Sequence, residues 1–120
     1  MQKNILIVDD SRFSRLSLRA IIADKFPGWY ICEAANGAEA WTIANEMSLD
    51  VVLLDYNMPG EDGLTVGKKI KEIQPKANLA MVTANIQGML AAEVREAGIE
   101  FIAKPINAAA IADYLTRVTS

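Results

Sequence analysis

The sequence predicts one α/β domain in which five short parallel strands alternate with five helices, the helices covering both faces of the sheet. Short apolar runs recur five times, and the run Val51-Val52-Leu53-Leu54 has no polar face, as expected of a strand buried on both sides. Between the runs lie segments whose apolar residues recur at helical spacing instead of alternating. The junctions are short and rich in Asp, Asn, Gly and Pro, which suits strand-to-helix connections and suggests no second domain or linker within these 120 residues.

The first strand is Asn4-Ile5-Leu6-Ile7-Val8, closed by Asp9-Asp10. Ser11 is then a helix N-cap, and Leu18, Ile21, Ile22 and Phe26, at relative spacings 0, 3, 4 and 8, line one face of a helix ended by Pro27-Gly28. Trp29 to Ala34 has the aromatic and β-branched content of a second strand. Asn36-Gly37 is a hairpin signal, but Ala40, Trp41, Ala44 and Met47 follow at helical spacing, so the pair begins a second helix. The third strand leads from Asp50 to Asp55, and beyond the loop Tyr56-Asn57-Met58-Pro59-Gly60 the residues Val66, Ile70 and Ile73 mark a helix stopped before Pro75. Asn78-Leu79-Ala80-Met81-Val82 is a fourth strand ending on Thr83, followed by a helix carrying Leu90, Val94 and Ala97 and closed by Gly98. Glu100-Phe101-Ile102-Ala103 is the fifth strand and reaches Lys104-Pro105; Ile111, Leu115 and Val118 carry the last helix.

Composition excludes several classes of function. A net charge of −3 offers no broad basic surface to a nucleic-acid backbone, so no nucleic-acid partner is expected. Cys32, the single cysteine, has no partner for a disulfide or a C-x-x-C site and reads as a small buried thiol. The early apolar run Ile5 to Val8, closed by two acids, is too short for a signal peptide or a membrane span, so the chain is expected in the cytoplasm, without a membrane partner. Histidine is absent, which rules out Ser-His-Asp and Cys-His relays and, with one cysteine, a zinc site. Carboxylates, hydroxyls, lysine and a bound metal remain.

Parallel strands would gather Asp9, Asp10, Asp55, Thr83 and Lys104 at one edge of the sheet, the carboxyl edge where such folds bind ligands. Taken singly, each residue is ordinary: acids at strand ends cap helices, and a lysine is usually solvated. Taken together, strand ends in this order are hard to attribute to capping. Carboxylates repel by roughly 4 kcal/mol per pair at about 4 Å with an effective dielectric near 20, and a divalent cation relieves that repulsion. Oxygen donors without imidazole or thiolate select Mg²⁺, with Mn²⁺ and Ca²⁺ as alternatives. Lys104 supplies a positive charge and Thr83 a hydroxyl, both suited to phosphoryl oxygens, and a carboxylate can serve as the nucleophile that forms an aspartyl phosphate.

The stretches Val8-Asp9-Asp10-Ser11, Leu54-Asp55-Tyr56-Asn57-Met58-Pro59-Gly60-Glu61-Asp62-Gly63, Val82-Thr83-Ala84 and Phe101-Ile102-Ala103-Lys104-Pro105 resemble the receiver domain of bacterial two-component response regulators, of the stand-alone chemotaxis-like type, along the whole chain. The resemblance implies a flavodoxin-like (βα)5 fold with strand order 2-1-3-4-5, carried over from the family. It implies that Asp55 accepts a phosphoryl group from a phosphohistidine of a partner, either a sensor histidine kinase or a histidine phosphotransfer protein. Mg²⁺, or Mn²⁺, would be held by Asp10, Asp55 and the backbone carbonyl of Asn57, with Asp9 acting through water, while Lys104 and Thr83 contact the phosphoryl oxygens. Thr83 and Phe101 would form the switch, and Asn57 and Asn85 would tune the lifetime of the acyl phosphate. Such a protein is not an enzyme toward other molecules and catalyses only its own phosphorylation and dephosphorylation. Glu61 departs from the family pattern, where a hydrophobic residue is common, which bears on the packing of the loop after Asp55.

With residues 1–120 read as one receiver domain and no output domain, the surface of the fourth helix, fifth strand and fifth helix is the expected docking face for a downstream protein. Only Asp113 and Arg117 supply charge to the last helix, which favours a monomer. Two rivals remain. A receiver-like adaptor would act without phosphorylation; an aspartyl-phosphate phosphohydrolase would want a second acid two residues after the nucleophile, where Asn57 stands. A flavin mononucleotide module would need a phosphate loop where Asp9-Asp10 would repel it.

Overall fold

In the computed structural model, which describes residues 2–84 and 88–120, ten elements alternate along the chain. They are β1 (Asn4–Val8), α1 (Arg12–Lys25), β2 (Tyr30–Ala34), α2 (Gly37–Glu46), β3 (Val51–Leu54), α3 (Gly63–Ile73), β4 (Asn78–Thr83), α4 (Gly88–Glu96), β5 (Glu100–Ala103) and α5 (Ala108–Thr119). All strand pairs are parallel, in the order β2-β1-β3-β4-β5. That order reverses direction between β1 and β3, and a ligand crevice forms outside the carboxyl ends of the strands at such a reversal.

Alternation along the central strands divides their side chains between two cores. Leu6, Val8, Val52, Leu54, Leu79 and Met81 pack on one face, under α2, α3 and α4 through Ala40, Ala44, Val66, Ile70 and Val94. Ile5, Ile7, Val51, Leu53, Ala80 and Val82 pack on the other, under α1 and α5 through Leu18, Ile22, Ile111 and Leu115. Because both faces are covered, the strands carry apolar residues at every position, and each fully buried Leu or Ile contributes about 1.5–3 kcal/mol.

Side-chain caps fix where the helices begin. Ser11 Oγ accepts the Ser14 N–H at 3.2 Å, Asn36 Oδ1 the Glu39 N–H at 2.9 Å, Asp62 Oδ1 the Thr65 N–H at 2.8 Å and Asn107 Oδ1 the Ala110 N–H at 3.0 Å. Glu39 reaches back to the Ala35 N–H at 2.7 Å, so Asn36-Gly37 starts a helix and makes no hairpin, as its helical spacing predicts.

Some boundaries and faces differ from expectation. Trp29 lies outside β2, because its ring stacks on Phe26 at 4.3 Å, and Phe26 itself is the C-cap of α1. Trp41 is 40% exposed, since Ala40 and Ala44 already form the buried stripe of α2 and the next residue turns about 100° away from it. Ile73 is 41% exposed in the last turn of α3. Cys32 is half-buried, with Sγ 3.5 Å from Met47 Sδ, and burial pushes its thiol up.

Candidate functional site

The hydrogen-bond ladder of the sheet continues one residue past three strand ends and thereby places the polar groups. Asp9 donates its N–H to the Ala34 carbonyl at 3.0 Å, Asp55 to the Val8 carbonyl at 2.9 Å, and Lys104 to the Thr83 carbonyl at 3.0 Å. The acids and the lysine thus sit on rigid backbone at the carboxyl edge, where local precision is set by the core beneath.

There the structure brings together the residues that the sequence singles out. One carboxylate oxygen from each of Asp9, Asp10 and Asp55 lies within 4.8 Å of the others. Asp9 and Asp55 are buried, at 2% and 8% exposure, whereas Asp10 faces solvent. Lys104 Nζ donates to Asp9 Oδ2 at 2.9 Å, to Asp55 Oδ2 at 3.0 Å and to Ser14 Oγ at 3.2 Å, which occupies the three donors of an ammonium. Burial alone would lower the Lys104 pKa, but the hydrogen bonds and charges of Asp9 and Asp55 outweigh it and hold the ammonium above its ordinary range. Asp9 Oδ1 accepts the Ser11 N–H at 2.9 Å, and Asp55 Oδ1 the Asn57 N–H at a longer 3.4 Å. Thr83 is fully buried at the end of β4.

Beside the acids opens a shallow cavity of about 320 Å³ lined by Asp10, Tyr56, Asn57, Met58 and Asp62. The donor set is all oxygen and carries several negative charges around a single lysine, so it fits a hard divalent cation that keeps part of its water shell. Phe101 is half-buried and packs against the core under α4, and Asn57 is exposed in the loop after β3. Asn85 lies outside the described residues.

Three participants are not among the site residues that the sequence singles out. Ser14 is buried beside Lys104 and looks in the sequence like any polar residue of an amphipathic helix. Arg15 donates to the Asp9 carbonyl at 2.6 Å, and only its position about one turn past Ser11 hints at it. Gly63 stands where an added Cβ would lie 2.1 Å from the Asp55 carbonyl oxygen, and its N–H donates to the Tyr56 carbonyl at 2.9 Å. A glycine directly after a helix-capping Asp, as in Asp62-Gly63, is the one available signal for that close approach.

A sheet of order 2-1-3-4-5 whose carboxyl edge holds acids and a lysine, with no glycine-rich phosphate loop after β1, defines a flavodoxin-like domain built around an acidic site. Over residues 5–116 the chain matches the response regulator receiver domain, and it belongs to that family. It is 38% identical over 109 residues to the chemotaxis protein CheY of Bacillus subtilis, covering 90% of each chain. With the chemotaxis protein CheY of Thermotoga maritima it shares 35% over 121 residues, 99% of each. Among solved structures, the chemotaxis response regulator CheY4 of Vibrio cholerae superposes with a TM-score of 0.87 at 26% identity, covering 98% of this chain and 99% of that one. Receiver domains are signalling switches of two-component systems and bind Mg²⁺ at an acidic pocket. Among the described residues no helix is long and apolar enough to cross a membrane.

Proposed function

We propose that this chain is a phosphoacceptor switch in which an Asp55 carboxylate oxygen attacks the phosphorus of a phosphohistidine on a partner kinase or histidine phosphotransfer protein. The new O–P bond forms as the P–N bond breaks, and the departing imidazole takes up a proton. The observation that carries the reading is the convergence of Asp55, Asp9 and Lys104 at hydrogen-bond distance beside an open acidic cavity, on a chain with no histidine of its own. Asp10, Asp55 and the Asn57 carbonyl would hold Mg²⁺ or Mn²⁺, with Asp9 acting through water. When bound, the ion neutralises charge on the transferred group.

This chain's own residues do the rest. The Asn57 N–H and the Lys104 ammonium orient the Asp55 carboxylate, and the lysine then serves the phosphoryl oxygens. Thr83 is the hydroxyl donor from β4, and Phe101, half-buried on β5, is the aromatic whose packing follows it. Asn57 and Asn85 set how readily water reaches the acyl phosphate. The consequence is a shift of the surface formed by α4, β5 and α5, read by a downstream protein; the switch works as a cytoplasmic monomer without nucleic acid. Intact mass after incubation with Mg²⁺ and acetyl phosphate is the test, with Asp55→Asn in parallel. A Mg²⁺-dependent single phosphoryl adduct, absent from the variant, is the expected result. No adduct, together with no beryllofluoride binding, would leave a receiver-like adaptor that acts unphosphorylated.

A further inference from the structure

The guanidinium of Arg15 touches two elements at once. Its Nε donates to Glu33 Oε1 at 3.0 Å on β2, and its Nη1 donates to the backbone carbonyl of Asp9 at 2.6 Å. Arg19, one turn further along α1, donates Nε to the other oxygen of Glu33 at 2.6 Å and Nη2 to the Ile31 carbonyl at 3.1 Å. Glu33 therefore anchors both arginines, but only Arg15 reaches the acidic site. Its side chain is 16% exposed, against 43% for Arg19, so the fork is held by packing as well as by charge.

The Asp9 carbonyl belongs to the peptide unit that joins Asp9 to Asp10, and on the other side of Asp9 its N–H is fixed to the Ala34 carbonyl at 3.0 Å. Holding the preceding peptide by its N–H and this one by its carbonyl restricts rotation about the Asp9 backbone bonds, and the plane so held helps set the direction in which the Asp10 side chain leaves the backbone. Asp9 can rely on Ser11 and Lys104 for its own side chain. Exposed Asp10 depends on the backbone.

We propose that Arg15, clamped by Glu33, is a positioning residue for the acidic site: it locks the Asp9-Asp10 peptide so that the Asp10 carboxylate points at the position of the divalent cation. The inference rests on the reading of Asp10 and Asp55 as cation ligands. Supports one step removed from the ligands commonly set metal affinity. Electrostatics alone predicts the opposite sign, since removing a positive charge near three carboxylates should tighten cation binding.

Isothermal titration with Mg²⁺ on the full chain separates the two effects. Arg15→Met keeps the aliphatic stem, and Arg19→Met removes an equal charge from the same Glu33 while leaving the Asp9 carbonyl contact in place. Arg15→Met is expected to weaken Mg²⁺ binding about 10-fold, and Arg19→Met to leave it unchanged, although both lose stability in thermal unfolding in EDTA. If Arg15→Met does not fold, Arg15→Lys carries the test, because a lysine has one nitrogen where the fork uses two, Nε for Glu33 and Nη1 for the Asp9 carbonyl, and weaker binding is again expected. Unchanged or tighter binding in the Arg15 variant, or equal weakening in both arginine variants, would overturn the proposal. A wild-type chain that binds no Mg²⁺ would overturn the cation reading itself, and the inference with it; an Asp10→Asn control that abolishes wild-type binding secures that reading independently.

Discussion

Replacing Lys104 with Met keeps most of the stem and removes the ammonium that touches Asp9 Oδ2 at 2.9 Å and Asp55 Oδ2 at 3.0 Å. At that separation each contact is worth about 5 kcal/mol at an effective dielectric near 20. Taking the ions partly out of water offsets much of this. What decides the outcome is what the lysine leaves behind, namely carboxylates with ligand atoms within 4.8 Å of one another, two of them on buried residues. Removing one partner of such a buried pair costs about 3 kcal/mol, and Lys104→Met is expected to lose that much stability in EDTA. The uncompensated charge attracts cations, so Mg²⁺ should bind the variant more tightly than wild type and, by linkage, restore most of the loss. Formation of the phosphoryl adduct should move the other way and slow, because the phosphoryl oxygens lose their lysine. Urea unfolding with and without saturating Mg²⁺, followed through Trp29 and Trp41 fluorescence, gives the stabilities, and mass spectrometry gives the adduct. A loss of equal size in EDTA and in Mg²⁺ would refute the account of Lys104 as the neutralising cation of the acidic cluster.

Three further outcomes follow from the same contacts. Gly63→Ala puts a Cβ 2.1 Å from the Asp55 carbonyl oxygen, so the loop must shift, at about 1–3 kcal/mol, and both the thermal midpoint and Mg²⁺ affinity should fall. Burial alone would push the Glu33 carboxyl up, but the guanidinium groups of Arg19 and Arg15 hold it below the usual carboxylate range. Its stabilising contribution is therefore present above the unfolded pKa near 4.5 and is lost as pH falls through the lower folded value; Glu33→Gln should flatten that part of the acid unfolding curve. Lys104 runs the opposite way: with its folded pKa above the ordinary 10.5, its contribution is complete below that value and is lost as pH rises through the folded value. Alkaline urea midpoints should fall in wild type and stay flatter in Lys104→Met.

The fold was legible because the sheet is buried on both faces. Val51-Val52-Leu53-Leu54 and Ile5 to Val8 announce themselves as strands without any polar alternation to interpret, and the polar residue that ends each run marks the edge of the crevice. Caps with a side-chain oxygen, such as Ser11, were readable for the same reason. What sequence could not give were relations between helix faces and loops. Trp41 looks apolar by type and sits in solvent, because the alanines beside it fill the narrow space over β1 and β2. Ser14 and Arg15 act across a gap between α1 and the sheet edge, at a distance set by packing and not by spacing along the chain.

The resting contacts of Lys104 also limit how the switch can be driven. Moving a two-state equilibrium from 1:99 to 99:1 requires about 5.5 kcal/mol of differential stabilisation. In this structure Lys104 already makes three charge-assisted hydrogen bonds, two of them to carboxylates, so a move toward phosphoryl oxygens exchanges partners and adds few. Its contribution to the shift is the difference between two well-satisfied states, well below the roughly 1.5–3 kcal/mol of a single new charged bond. The remainder has to come from groups whose partners change more, and in the proposed switch Thr83 would be the residue that transmits it. Its carbonyl accepts the Lys104 N–H at 3.0 Å, so a displacement of the end of β4 carries the start of the β5–α5 connection with it. Under the proposed phosphoacceptor reading, the lysine would serve mainly to keep the acids neutralised until transfer, and the free energy that reshapes α4, β5 and α5 would enter through β4.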